Sequence, residues 1–261
     1  MNKAKAAIFR ELDNDKKEVN GLNDSIGSTS RKRKEKIVKT KTFNIDNLHI
    51  KTILPLTQGQ RQFFSSFDYG LNIVAHGSAG TGKTYLATYL ALKQLINGDA
   101  ETIIFLRSSV SIRSQGHLPG SLEEKEAVYM IPFKTIVNDI CECGTAWDSL
   151  IKKDKIKFIT TSYIRGITLD NCVLIVDEFQ NFDASEMESV LTRVGKNSRV
   201  IICGDTRQND LNRKREISCH DWLLRIAKKM PKHFDIVKFY SSDIVRSEFC
   251  KAIIIAIEGD F

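Results

Sequence analysis

Short apolar runs alternate with helix-like segments from about residue 51 to the end of the chain. Six runs are mostly apolar, which is typical of strands buried in a parallel sheet. Segments with apolar residues at helical spacing lie between them. The predicted strands are Leu71–His76, Thr102–Leu106, Lys155–Thr160, Cys172–Val176, Arg199–Cys203 and Phe234–Phe239, and the predicted helices are Tyr85–Ile96, Glu123–Glu142, Ser185–Val194 and His220–Lys229. This alternation predicts a three-layer α/β fold with a mostly parallel sheet, which binds ligands at the carboxyl ends of its strands.

Residues 1–50 differ from the rest in composition and charge. They contain 12 Lys and Arg against 7 Asp and Glu, a net charge of +5, whereas the other 211 residues contain 27 against 25, or +2. The bases concentrate in Arg31–Lys41, and Asn20–Lys36 is too polar to bury a core. We therefore predict a disordered basic arm at 1–50 and one folded domain at 51–261. Such an arm suits a polyanion such as nucleic acid or an acidic partner, and it equally suits a solvated tail.

The overall composition is that of an ordinary globular protein, with 42% hydrophobic and 27% charged residues among 261. No apolar run approaches the roughly 20 residues of a membrane helix. Because Met1–Glu18 has early acids and no apolar block, we expect no secretory signal and no membrane association. Among six cysteines, Cys172 and Cys203 lie in apolar runs, and Cys141 and Cys143 have no second pair with which to bind zinc. We therefore expect a cytoplasmic protein with reduced thiols.

The segment GSAGTGKT matches the phosphate-binding pattern G-x-x-x-x-G-K-[ST] between a predicted strand and a predicted helix. Its glycines allow a tight turn that exposes backbone N–H groups, and the helix adds further donors and a positive dipole end. Lys83 supplies a cation for the β- and γ-phosphates, and Thr84 supplies a hydroxyl for Mg²⁺. The residues predicted to bind a nucleoside triphosphate are Gly77, Ser78, Ala79, Gly80, Thr81, Gly82, Lys83 and Thr84.

Two acids end the fourth predicted strand. Asp177 is placed to hold Mg²⁺, directly or through water, and Glu178 to polarise the attacking water as general base. An adjacent Asp-Glu pair is typical of hydrolytic ATPases, and the sequence lacks the N-K-x-D run of a Ras-type GTPase. Gln208 follows the fifth strand and is a candidate contact to the γ-phosphate or the water. The alternative for Gln208 is a turn residue that faces solvent.

Taken in order, these signals resemble superfamily 1 helicases and, more closely, the PhoH family of small P-loop ATPases. The resemblance covers most of Leu54–Phe249 and includes further motifs. They are LPLTQGQ at 54–60, Arg107 with Val110, LPGSLEEK at 118–125, RGIT at 165–168, DEFQN at 177–181, LTRVG at 191–195, GDTRQNDL at 204–211 and DIVR at 243–246. Phe179 replaces the usual Ala, and Ile167 replaces a common second Arg, which weakens the case for a paired-arginine clamp on RNA or DNA.

The resemblance implies ATP as the nucleotide and Gln60 as the residue that reads adenine. It also implies that Arg246 is an arginine finger or a γ-phosphate contact, with Arg193 as a weaker candidate. One RecA-like core lacks the second lobe of a helicase, so Arg246 acts within its own chain or on a neighbour's nucleotide. The second option implies a homo-oligomeric ring. For both arginines the alternative is a surface salt bridge.

Two functions remain open from the sequence. The first is Mg²⁺-dependent ATP hydrolysis coupled to binding of RNA or single-stranded DNA. The second is a nucleotide-dependent binding or assembly switch without nucleic-acid coupling. For the first, the predicted catalytic residues are Lys83, Glu178, Gln208 and Arg246, and the predicted Mg²⁺ ligands are Thr84 and Asp177.

Overall fold

The computed structural model describes residues 48–108, 122–205 and 219–259. Its strands are β1 (Asn72–Gly77), β2 (Thr102–Arg107), β3 (Ile156–Thr160), β4 (Cys172–Asp177), β5 (Arg199–Gly204) and β6 (Phe234–Phe239). Its α-helices are α1 (Gln58–Asp68), α2 (Lys83–Asn97), α3 (Leu122–Ile140), α4 (Ala146–Lys152), α5 (Ala184–Leu191), α6 (Cys219–Lys229) and α7 (Glu248–Gly259). Short 3₁₀ turns follow three strands, at Thr161–Tyr163, Phe179–Asn181 and Ser241–Asp243.

Within the described residues, the six strands form one sheet in the order β3-β2-β4-β5-β1-β6, and every paired neighbour is parallel. Alternate residues of each central strand face opposite cores. On β1, Ile73 and Ala75 belong to the core that also contains residues of helices α1 to α4, whereas Val74 belongs to the core that contains residues of α5 and α6. Burial on both faces explains why the strands read as apolar runs. The predicted three-layer α/β fold with a parallel sheet is confirmed.

All of the predicted strands and helices are present, and they differ from the prediction mainly at their ends. Strand β6 has the predicted bounds, and α2 begins at Lys83 rather than at Tyr85. The pattern missed α1, α4 and α7. Helix α7 is apolar around most of its surface and none of its residues is buried, so it has no single apolar face that periodicity could reveal.

The packed body begins ahead of residue 51, the predicted start of the folded domain. Leu48 is buried in the core, Ile50 packs against that core, and the backbone N–H of Lys51 donates to the Ile140 carbonyl over 2.9 Å. The predicted disordered arm otherwise lies outside the described residues. No helix in the described part of the chain is both long and apolar enough to cross a membrane.

The strand register brings the chemically important strand ends to one edge of the sheet. Leu106 pairs with Val176 and Asp177 pairs with Cys203, so β2, β4 and β5 end side by side. Gly77 pairs with Phe239, which places the end of β1 beside that of β6. The loop after β1 and the acids after β4 therefore share the carboxyl edge, where parallel α/β sheets bind ligands.

Candidate nucleotide-binding site

The loop from Gly77 to Thr84 turns sharply between β1 and α2. Gly77, Gly80 and Gly82 have φ angles of +118°, +71° and +85°, which only glycine adopts without strain. A side chain at Gly77 would also collide with the carbonyl oxygen of Phe239 on β6. Gly82 caps the start of α2, and Lys83 is its first residue. The free N–H groups at the start of this helix therefore lie directly at the end of the loop.

Lys83 lies folded into this loop. Its ammonium group donates to the carbonyl oxygens of Gly77 over 3.0 Å and of Ser78 over 2.7 Å, and the residue is only 9% exposed. Burial lowers the pKa of Lys83, and the nearby carboxylates, Asp205 foremost, oppose that shift. The loop thus holds a single cation against its own backbone, where an anionic ligand can take the place of the carbonyl contacts.

Thr84 and Asp177 meet at the start of α2. The Thr84 hydroxyl donates to Oδ1 of Asp177 over 2.7 Å, although the two residues are 93 positions apart in sequence. Asp177 is 3% exposed, and its Oδ2 accepts two hydrogen bonds from Arg107, from Nη2 over 2.6 Å and from Nε over 3.2 Å. A hydroxyl and a carboxylate are hard oxygen ligands of the kind that Mg²⁺ prefers. The donor set beside the loop therefore fits a magnesium–triphosphate group.

Glu178 follows directly and adopts the left-handed conformation, with φ +55°. Its carboxylate accepts a hydrogen bond from the side-chain amide of Gln180, whose oxygen accepts from the backbone N–H of Asp205 over 3.0 Å. Burial, and then the charge of Asp177, raises the pKa of Glu178 above its ordinary value. A carboxylate with a raised pKa beside a phosphate loop is suited to accept a proton from water.

Gln60 lies at the site, and the protein itself uses both ends of its carboxamide. The amide nitrogen donates to the carbonyl oxygen of Thr81 over 3.0 Å, and the amide oxygen accepts from the backbone N–H of Leu56 over 2.8 Å. The residue is 3% exposed. In this arrangement Gln60 braces the phosphate loop from behind, whereas its predicted role as adenine reader stays a prediction.

Arg246 approaches the same loop from within its own chain. The backbone N–H of Val245 donates to the carbonyl oxygen of Gly80 over 3.1 Å. A Cβ atom on Gly80 would lie 2.8 Å from Cγ of Arg246, so the arginine stem packs against this glycine while its residue remains exposed. By contrast, Nε of Arg193 is buried without a hydrogen-bond partner.

The structure therefore brings most of the predicted site residues together. Gln208 lies outside the described residues. Two contacts at the site went unassigned from the sequence: the pairing of Arg107 with Asp177, and the link that Gln180 makes between Glu178 and β5. Both residues stand in family-like motifs, and an arginine at the end of an apolar strand was the available signal for the first.

A glycine-rich loop between a parallel strand and a helix, with an acid pair ending a nearby strand, defines the class of P-loop NTPases. The family model described as "PhoH-like protein" matches residues 52–258. The chain belongs to this PhoH-like family, as its sequence motifs indicated.

Several known proteins are similar to this chain. A PhoH-like protein of Bacillus subtilis (strain 168) is 34% identical over 212 residues, which cover 80% of this chain and 65% of that protein. A PhoH-like protein of Synechocystis sp. is 31% identical over 255 residues, which cover 96% of this chain and 71% of that protein. The crystal structure of a Pif1 helicase from Candida albicans aligns with 72% of this chain and 41% of its own, at 17% identity and a TM-score of 0.37. The chain thus spans less than two thirds of the Bacillus subtilis protein.

Proposed function

We propose that the chain binds Mg²⁺–ATP and hydrolyses it, and that hydrolysis is coupled to RNA or single-stranded DNA. The observation that carries the proposal is the convergence of Lys83, Thr84, Asp177 and Glu178 at one edge of the sheet. There the Thr84 hydroxyl donates a hydrogen bond to the Asp177 carboxylate over 2.7 Å. The family resemblance supports ATP as the nucleotide.

The roles of the residues follow from their chemistry. Mg²⁺, when bound, neutralises charge on the phosphate oxygens, and Thr84 with Asp177 would hold it. Lys83 and the N–H groups at the start of α2 bind the phosphates. The carboxylate of Glu178 is the proton acceptor beside the phosphates, and Gln180 orients it through a hydrogen bond. Arg246, whose stem packs against Gly80, would contribute positive charge to the nucleotide of its own chain. We keep Gln208 as a proposed γ-phosphate contact from sequence alone.

ATP turnover of Glu178→Gln tests the hydrolytic role. We expect a loss of about 10²- to 10⁴-fold in turnover with nucleotide binding retained, because the amide cannot accept the proton of water. Glu188→Gln, on the exposed surface of α5, is the matched control and should turn over ATP like the unaltered chain. Equal turnover in Glu178→Gln and the unaltered chain would exclude Glu178 as the base.

Nucleic-acid coupling is supported by the basic excess, which concentrates in Arg31–Lys41 with 7 bases against 1 acid. We expect single-stranded RNA to stimulate turnover and to bind with a steep inverse dependence on salt concentration, as phosphate contacts require. Replacing the bases of this segment with Gln should flatten that dependence. No binding and no stimulation by single-stranded RNA or DNA would refute the coupling.

A second candidate, an assembly switch controlled by nucleotide, is favoured by helix α7. Its side chains Phe249, Ile253, Ile255 and Ile257 are 76%, 43%, 44% and 56% exposed, and none of its residues is buried. Ile254 of this helix also approaches Gly80 of the phosphate loop, within 3.5 Å of an added Cβ. An exposed apolar helix beside the loop suits self-association that responds to nucleotide. Solution mass measured with and without Mg²⁺–ATP tests this candidate and the predicted ring, and an unchanged monomer would refute both.

The cysteines support a reducing compartment, and we propose the cytoplasm. All six are free thiols, and four of them are buried. Burial raises the pKa of Cys141 and of Cys219 to about 12, so both stay protonated and unreactive at neutral pH.

A further inference from the structure

Arg107 occupies the carboxylate on which the proposed magnesium site depends. It ends β2, directly beside the end of β4, and donates to Oδ2 of Asp177 from Nη2 over 2.6 Å and from Nε over 3.2 Å. The side chains of this pair are only 16% and 4% exposed. The Thr84 hydroxyl takes the other oxygen, Oδ1. Both oxygens of Asp177 therefore already have partners.

Aromatic rings on α3 hold the guanidinium of Arg107 from its other side. Its central carbon lies 4.9 Å from the ring centre of Phe133 and 6.0 Å from that of Tyr129. Phe133 is fully buried and packs on Phe105 of β2, with ring centres 4.5 Å apart. Cation–π contacts of this kind favour a charged group that has left water. Arg107 is thus positioned by β2 and α3 together.

A buried carboxylate needs a compensating charge, and the guanidinium of Arg107 supplies one. A divalent cation on Asp177 would share that carboxylate with a guanidinium a few ångströms away, and like charges so close in a partly buried site repel strongly. We propose that Arg107 is a positioning residue that holds Asp177 ready and competes with Mg²⁺ for it. This inference rests on the proposed function, because it takes Asp177 as the metal ligand.

The competition predicts opposite effects of one substitution in two conditions. Arg107→Met removes the competing charge but leaves the buried carboxylate of Asp177 without a compensating cation, with only the Thr84 hydroxyl as its hydrogen-bond partner. In EDTA the variant should therefore unfold at a lower temperature than the unaltered chain. With Mg²⁺ and a non-hydrolysable ATP analogue, the variant should need about tenfold less Mg²⁺ for half-maximal binding, because the repelling charge is gone. An ion pair with a purely structural role would lower stability without changing the Mg²⁺ requirement.

Two measurements on four variants test the proposal: the thermal unfolding midpoint in EDTA and in Mg²⁺ alone, and the Mg²⁺ titration of binding of a fluorescent non-hydrolysable ATP analogue. Arg107→Lys keeps the positive charge but cannot make both hydrogen bonds to Asp177, so its Mg²⁺ requirement should fall less than that of Arg107→Met. This variant replaces Arg107→Met in the test if Arg107→Met does not fold. The double variant Arg107→Met with Asp177→Asn should regain the midpoint in EDTA and lose the Mg²⁺ effect. Lys134→Met is the matched control, since it removes a cation from the ion pair with Asp148, which is half-exposed.

An Mg²⁺ requirement that is unchanged or higher in Arg107→Met and in Arg107→Lys would overturn the proposal. If the unaltered chain binds no nucleotide, the proposed function fails. The rise in unfolding midpoint between EDTA and Mg²⁺ alone then tests whether Arg107 competes with Mg²⁺. A larger Mg²⁺-dependent rise in midpoint for Arg107→Met than for the unaltered chain supports competition. Equal rises overturn it.

Discussion

Gln60 gives the sharpest test of how the phosphate loop keeps its shape. The substitution Gln60→Met preserves the length of the side chain and removes both of its hydrogen bonds, to the carbonyl of Thr81 and from the N–H of Leu56. Thr81 is fully buried, so its carbonyl would lose a partner away from water. Leu56 is 55% exposed, so its N–H can return to solvent.

The two losses therefore differ in size. An orphaned buried carbonyl costs about 1–3 kcal/mol, and a hydrogen bond whose donor regains water costs about 0.5–1.5 kcal/mol. Together they predict a loss of about 1.5–4.5 kcal/mol in the free energy of unfolding. For a domain of roughly 200 residues this lowers the unfolding midpoint by roughly 3–18 °C.

The assay combines thermal unfolding with binding of ATP and GTP. If Gln60 acts only as a brace of the loop backbone, Gln60→Met should weaken binding of both nucleotides by a similar factor, whereas a residue that reads adenine would affect ATP selectively. Gln62→Met is the matched control on the same helix, since the Gln62 amide bonds to Asp235 at the exposed surface. If Gln60→Met kept its midpoint but lost a preference for ATP over GTP, the brace would be refuted and adenine reading supported.

Three further predictions concern the loop and the base. Lys83→Met should abolish triphosphate binding, because the cation of the loop is lost, and equilibrium binding of a fluorescent nucleotide measures this. Gly77→Ala should lower the unfolding midpoint more than Gly98→Ala, since both have positive φ but an added side chain collides with the neighbouring strand only at the first position; equal shifts would contradict the steric argument. Turnover should fall as the pH drops through the raised pKa of Glu178, at a higher pH than an ordinary carboxyl group would give, because the base must be ionised. A pH–rate profile checks the last prediction, and an acid limb near pH 4.5 or below would contradict it.

Local sequence patterns predicted the strands and helices well where burial requires apolar residues at regular positions. Apolar runs marked the central strands most clearly, because both faces of the sheet are buried there. Helices α1 and α7 escaped prediction. In α1 only Gly59, Gln60, Phe63, Ser66 and Phe67 are buried, so few apolar positions signal the helix. In α7 most of the apolar residues are exposed and none is buried, so no single apolar face marks the helix.

The candidate site divides in the same way. Residues that belong to a contiguous motif, such as Lys83 after the glycines and Glu178 after its strand, were predictable from spacing. The proximity of Thr84 to Asp177 was expected, because both residues were predicted to be ligands of one Mg²⁺ ion. The contacts of Gln60 and Arg107 were not, because each depends on which backbone or strand end lies opposite.

The sequence by itself determined the fold class, the phosphate loop and the acid pair, because these depend on periodicity, on glycine conformation and on residues adjacent in the chain. Only the tertiary structure decided which groups touch them. Strand β2 lies beside β4 in the sheet, so Arg107 meets Asp177 across 70 positions. Helix α1 packs behind the loop, so Gln60 reaches Thr81 and not open solvent. Strand order and helix docking are set by the packing of the whole core, and no local pattern records them.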